Sequence, residues 1–390
     1  MSVPEDDVMM QTSASIRILL CFLLSLVATP AVAVEFAVVG PRAAGMGGAG
    51  VAVTTDAYAT YWNPAGLAMV KSMDIRIQGT AQVTGRDGII NALNNLKDFN
   101  PNDTSPANLA NAQSIANQIN RPGATISGIG TGGLYVKGHF GEHAFGFNVS
   151  DVATSGGFVS SPVQVSQTPA GTGPITISGA MALRGLEARQ AAFSYAYAFA
   201  DKTFALGVTG KIIQGAAYNN TTSLQGGANP SLLNNFGQAM ISTSYSVDVG
   251  AMYRPSSWLR FGVVGKDLNQ PSFDAPGGLQ YKLTPQARGG VALNPWSTMT
   301  ITADMDITSN QTLTPGLKSQ VLSLGMEQTI LSEFLSFRVG TYKNVQDAGS
   351  IFTPTAGLGL RIYSFRLDLA GGYDFDKGGA IVSGALAWTF

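Results

Sequence analysis

The chain has 390 residues, of which 12% are charged, 45% are hydrophobic and 47 are glycine, with a formal net charge of -1. Without clustered Lys and Arg there is no nucleic-acid partner to expect, because phosphate contacts need them. The length suits roughly two or three soluble domains or one large barrel. Low charge with many small residues favours a surface that partly faces lipid.

Residues 1–33 carry the marks of a secretory signal: Arg17 as its positive end, an apolar run from Leu19 to Ala28, and Ala31-Val32-Ala33 as the cleavage site. The run is too short to cross a bilayer as a helix. Acidic Glu5-Asp6-Asp7 is unusual ahead of Arg17, and Met9 or Met10 is the alternative start. Cleavage near Ala33 leaves 22 basic and 21 acidic residues, a net of +1, and removes Cys21, the sole cysteine. The exported chain is therefore expected to carry no disulfide and no thiolate site. Leu20 stands where a lipidation site needs a small residue, so Cys21 is not read as a lipid anchor.

The stretch from Gly40 to Leu67 is glycine-rich, nearly uncharged, and closes on the turn-forming run Asn63-Pro64-Ala65-Gly66. Gly45, Gly47 and Gly50 satisfy G-x-G-x-x-G, yet no alternating strand–helix pattern and no ribose-binding acid follow, so no dinucleotide site is expected. Here glycine lets the segment turn sharply and pack closely. Gly45-Met46-Gly47-Gly48-Ala49-Gly50, Asp56-Ala57 and Tyr61-Trp62-Asn63-Pro64-Ala65-Gly66-Leu67 resemble the N-terminal signature of a barrel superfamily. It includes FadL-type transporters of hydrophobic compounds, PorV-type barrels of secretion systems and TraF-like proteins. The resemblance implies an outer-membrane β-barrel, with residues 34–70 as an N-terminal plug or hatch and residues 71–390 as the barrel.

Met73 to Val83 starts with apolar residues on alternate positions, the pattern of a first strand. Arg86 to Gly123 is polar, with helical spacing at Ile89–Leu96 and Ala107–Ile119 around the Pro101–Pro106 link. Residues 86–123 are thus expected to form a long, partly helical extracellular loop. From Gly132 onward, alternating segments of about ten residues recur with short turns at one end, the spacing of tilted membrane strands. Segments beginning near 73, 131, 143, 187, 203, 241, 257, 285, 298, 320, 333, 353, 364 and 379 predict about fourteen antiparallel strands, an all-β transmembrane barrel. Polar stretches at Pro101–Gly123, Ser160–Gly179 and Asn219–Gln238 are expected as loops.

Opposite the apolar stripe lie Lys137, Asp248, Arg260, Lys266, Arg288, Asp304, Asp306, Glu327, Arg338, Arg361, Arg366 and Asp368. Of these, Asp248, Arg288, Asp304, Asp306, Arg338, Arg366 and Asp368 are singled out as lumen charges. A closed sheet satisfies its backbone groups inside lipid, which an open one cannot do. The final run, Val382 to Phe390 with Leu386 and Trp388, resembles the assembly signal of outer-membrane barrels, so terminal Phe390 is expected to engage the barrel assembly machinery. Asp304 and Asp306 share a face like a catalytic acid pair, but with Arg288 and Arg338 on neighbouring strands, lumen ion pairing is the simpler account. His139 and His143 flank one turn without a thiol or a convincing carboxylate, a weak metal pair. G-x-S-x-G is absent. No enzymatic activity, cofactor or metal is expected.

The FadL resemblance implies passive transport: a hydrophobic small molecule rests in an apolar pocket inside the barrel and leaves when the hatch shifts. Gly45, Gly47, Gly48, Gly50, Asn63, Pro64, Ala65 and Gly66 would then gate the ligand, against a static plug as the plainer alternative. The PorV and TraF-like branches imply instead a component of a secretion or conjugal transfer apparatus, with the polar loops binding other proteins.

Overall fold

The computed structural model describes residues 35–228, 235–347, 349–375 and 378–390. The signal reading and the cleavage at Ala33 lie outside the described residues. In chain order the strands are β1 (Asp74–Gly85), β2 (Thr125–Phe140), β3 (His143–Gln167), β4 (Ile175–Phe199), β5 (Phe204–Gln225), β6 (Met240–Ser256), β7 (Leu259–Lys266), β8 (Ser272–Ala275) and β9 (Leu279–Lys282). They continue with β10 (Gln286–Leu293), β11 (Met299–Asp306), β12 (Asn310–Gln311), β13 (Lys318–Ser319), β14 (Val321–Ile330), β15 (Leu335–Asn344), β16 (Thr353–Ile362), β17 (Phe365–Tyr373) and β18 (Ala380–Thr389). Fourteen of them close into an antiparallel barrel, the number the sequence predicts. The hairpins β8–β9 and β12–β13 stand apart as two small sheets.

Period-two alternation builds the wall. On β5, Phe204, Leu206, Val208 and Ile212 point outward and are exposed, while Ala205, Thr209, Lys211 and Ile213 point inward and are buried. The same outward stripe continues through Phe145 and Phe147 on β3, Val247 and Val249 on β6, and Phe337 and Val339 on β15. The ring shuts where β1 pairs with β18, from Asp74 opposite Thr389 to Val83 opposite Ala380.

Two boundaries differ from the sequence reading. β2 starts at Thr125 rather than near 131, and β4 starts at Ile175 rather than near 187. As a result β3 and β4 are each 25 residues long. Most of the polar Ser160–Gly179 stretch is therefore ladder, with Gln167 opposite Ile175, and β5 likewise runs through Asn219 to Gln225. Beyond the apolar band the alternation fades while backbone pairing continues.

Short turns join strands at one end of the barrel and long connections at the other. At the long-connection end, helices occupy Ile89–Lys97 and Pro106–Ile119. Their apolar faces (Ile89, Leu93, Leu96, Ile115, Ile119) pack on the strand extensions at Ile175, Ile177, Met181, Leu183 and Leu224. The β8–β9 hairpin packs Phe273 and Tyr281 against inward Leu186 and Ile213, together with Leu313. Inward Gly215 makes room, since a Cβ there would collide with the Phe273 ring.

Candidate functional site: a lumen occupied by the N-terminal segment

Residues 35–70 lie inside the wall. Three short helices, Pro41–Gly45, Ala59–Trp62 and Gly66–Met69, leave Val39, Met46, Ala49, Val51, Trp62 and Leu67 fully buried. The segment is folded on itself by Trp62 Nε1, which donates to the Val39 carbonyl at 2.8 Å, and by the Tyr61 hydroxyl, which donates to Ala37 at 2.9 Å. Phe36 packs on both rings, 5.9 Å from Tyr61 and 5.4 Å from Trp62.

Each residue singled out in the segment touches the wall or supports one that does. The Thr355 hydroxyl donates to the Gly45 carbonyl at 3.1 Å and accepts from the Gly47 amide at 3.0 Å. The Gly48 carbonyl accepts from Arg288 at 3.2 Å. Asp304 Oδ2 accepts from the Gly50 and Val51 amides at 2.7 Å each. The Asn63 amide group donates to Val51 at 3.3 Å and to Ala251 of β6 at 3.1 Å, while its oxygen accepts from the Ala65 amide at 3.2 Å. Pro64 and Ala65 lie over Gly207, and Gly66 packs on the Thr54 carbonyl. Gly47 and Gly48 hold φ of +68° and +85°, a backbone conformation that L side chains rarely adopt.

The wall is recessed to match. Inward Gly207, Gly250, Gly262, Gly325 and Gly340 face Pro64, Asn63, Val51 and Met46 so closely that no Cβ fits. At Gly262 it would fall 2.7 Å from the Val51 carbonyl. Sequence reasoning overlooked these residues, although glycine at inward positions of alternating strands is a readable signal.

The charges form three separate groups. Arg288 of β10 stands 3.9 Å from Asp304 and 3.6 Å from Asp306, and Asp306 also accepts from the Val321 amide at 2.8 Å. Arg338 does not join them, contrary to the sequence reading. It reaches Glu327 and Asp368, each at 2.8 Å, and Arg366 lies 3.2 Å from Asp368. The reason is strand order: β14 intervenes between β11 and β15, so Arg338 meets Glu327 before any aspartate of β11. Asp248 pairs with Lys211 at 2.7 Å, a cation it shares with Asp267.

Several ties to the segment were not legible beforehand. Arg42 Nε donates to Glu327 at 2.9 Å. Arg76 bridges Asp74 at 2.6 Å and Asp56 at 3.3 Å. Lys137 donates to the Thr55 and Val70 carbonyls at 2.7 and 2.6 Å, and Lys266 sits over the Tyr61 ring, 3.2 Å from its centre. The histidines stay apart from this network, with His139 Nδ1 by the Gly141 carbonyl and His143 Nδ1 by the Tyr195 hydroxyl. Among the described residues no group of three or more His, Cys, Asp or Glu could hold a metal.

A polar cavity of about 550 Å³ opens at the short-turn mouth, lined by Arg42, Asp56, Arg76, Glu327 and Arg366. On the other side of the segment, toward the long connections, lies a cavity of about 100 Å³.

The profile of a family described as F plasmid transfer operon, TraF, protein matches residues 60–306. The chain belongs to this TraF family. The matched span runs from the second short helix of the N-terminal segment to the end of β11. No curated protein matches the chain. Among solved structures, the CymD monoaromatic hydrocarbon channel is similar with a TM-score of 0.57 at 12% identity, over 92% of this chain and 98% of CymD. The toluene transporter TbuX of Ralstonia pickettii gives 0.53 at 15% identity, over 90% and 97%. The toluene transporter TodX of P. putida gives 0.50 at 11%, over 91% and 99%. These likenesses establish for the TraF-family chain the fold of FadL-like outer-membrane barrels.

Proposed function

We propose that this TraF-family chain is an outer-membrane channel that hydrophobic small molecules cross passively, with residues 35–70 as a plug in its lumen. One observation carries the reading: the lumen side of the wall holds a buried apolar cluster. Leu186, Ile213, Phe273, Tyr281 and Leu313 form it toward the long connections, beside a small cavity lined by Glu35, Arg86 and Asp347, while charged and hydrogen-bonded groups surround the plug. A water-filled porin has a polar interior instead. The names of CymD, TbuX and TodX as hydrocarbon channel or toluene transporters support the same substrate class. In this reading the short turns face the periplasm and the long connections the exterior. Membrane lipid covers the apolar band, and Phe390 is the handle for assembly.

The ligand would settle beside Phe273 and Ile213 and leave past the plug. Uptake of a labelled monoaromatic hydrocarbon by cells making the chain tests this. Parent protein is expected to speed uptake several-fold, and Ile213→Asp to abolish the gain while the folded barrel is retained. Equal uptake with and without the chain removes the reading.

The family description, which refers to a transfer operon, favours a second reading: a scaffold in a secretion or conjugal transfer apparatus, contacted through the loop-end helices. Native mass spectrometry of gently extracted protein separates the two. A bound small hydrophobe supports the channel, and a retained protein subunit on an empty barrel supports the scaffold.

A further inference from the structure

Several inward charges meet an opposite charge across the ladder. Arg338 stands opposite Glu327, Arg288 opposite Asp306, and Lys137 opposite Asp74. At the rim between β16 and β17 the pattern breaks, because Arg361 stands opposite Arg366. Like charges in that position are destabilising. The turn Tyr363-Ser364 joins the two strands, so both arginines are fixed side by side at the short-turn end. Both line the polar cavity of about 550 Å³ at that mouth.

Neither arginine has a buried carboxylate to itself. Arg361 pairs with Glu333, which sits on the β14–β15 turn and is 60% exposed, a surface pair of little worth. Arg366 Nε lies 3.2 Å from Asp368 Oδ2 without forming a hydrogen bond, and Asp368 already accepts from Arg338 at 2.8 Å. Arg366 Nη2 donates to Ser336 at 3.1 Å, and its Nη1 has no partner among the described residues. The other acids of the cavity are taken: Glu327 by Arg42, and Asp56 and Asp74 by Arg76.

We propose that this cavity binds a phosphate group entering from the short-turn side, held between Arg361 and Arg366. A phosphate group carries about -1.5 to -2 at pH 7, which matches two guanidiniums, whereas a carboxylate would leave one of them unmet. Guanidinium also offers paired N–H donors suited to phosphate oxygens. Ser297 and Ser364 add hydroxyls to the lining. The group is either the free ion or a monoester, whose organic part the remaining volume accommodates. The site does not depend on what crosses the lumen, so it stands or falls separately from the channel reading.

The test is isothermal titration calorimetry of the folded barrel in detergent, at fixed pH and ionic strength, with inorganic phosphate, glycerol 3-phosphate or acetate. Phosphate or its ester is expected to bind roughly tenfold or more tightly than acetate. Tighter binding of the ester marks a monoester as the source, and equal or weaker binding marks the free ion. Arg361→Gln and Arg366→Gln are each expected to weaken binding by roughly tenfold, while Arg184→Gln, near the long connections, leaves it unchanged. Unheated gel migration shows whether each variant is a closed barrel. Should Arg366→Gln fail to close, the more exposed Arg361→Gln decides the matter. No binding by the parent, acetate held as tightly as phosphate, or an affinity unmoved by Arg361→Gln would each overturn the proposal.

Discussion

Asp304 holds the N-terminal segment through one oxygen, which accepts from two buried amides, and it is also a counter-charge to Arg288. Removing one partner of such a buried pair costs about 3–5 kcal/mol. Asp304→Ala is expected to loosen the segment while sparing the wall, whose ladder is built of backbone bonds. The readout is ion conductance across planar bilayers, which should rise above that of the parent while unheated gel migration stays the same. Wall glycines offer a matched comparison. Gly250→Val and Gly340→Val place atoms where Asn63 and Met46 already sit and should likewise expel the segment. Gly210→Val, at a site with nothing within 4 Å, should change stability by no more than about 0.5 kcal/mol. Gly47 belongs with the first pair. The sequence reading places it among the gating residues, and its φ of +68° and the Thr341 carbonyl against it mean that a side chain there displaces the segment outright.

Among the elements, the second loop-end helix shows how local signals survive in a membrane protein. Ser105 caps it by accepting from the Asn108 amide at 3.2 Å, with Pro106 at its first turn. Ser105→Ala should cost about 1 kcal/mol and speed amide exchange across Pro106–Ile119, which mass spectrometry can follow. Strands within the apolar band were legible to within a few residues because an apolar outer face and a packed lumen on the other side enforce alternation. The extensions of β3 and β4 were not, since their polar residues read as loop. The β8–β9 hairpin escaped for a different reason: four-residue strands are too short to show a period. Ion-pair partners were hidden as well, because register decides them. Glu327 stands directly opposite Arg338, and Arg288 opposite Asp306, facts that spacing along the chain does not contain.

For the molecule as a whole, the N-terminal segment separates the polar mouth from the apolar loop-end cluster. Deleting residues 35–70 is expected to leave a ring that still closes through β1 and β18 but conducts ions steadily. A deletion variant as electrically silent as the parent would mean that the loop-end elements seal the lumen by themselves. Only part of this arrangement could be read from the sequence. The glycine run and the Asn63–Gly66 turn marked the segment, whereas its seat on Asp304, Thr355 and Glu327 depends on strands far along the chain.

That seat bears on biogenesis. The segment is the first described part of the chain, yet its anchors belong to β10, β11, β14 and β16, and the ring shuts only when the first barrel strand finds the last. Loading before closure lets the residues settle into their recesses from an open side, with nothing squeezed past a finished wall. The natural order of events is then an amino terminus that waits inside a growing, curling sheet until the carboxy-terminal hairpin zips shut around it.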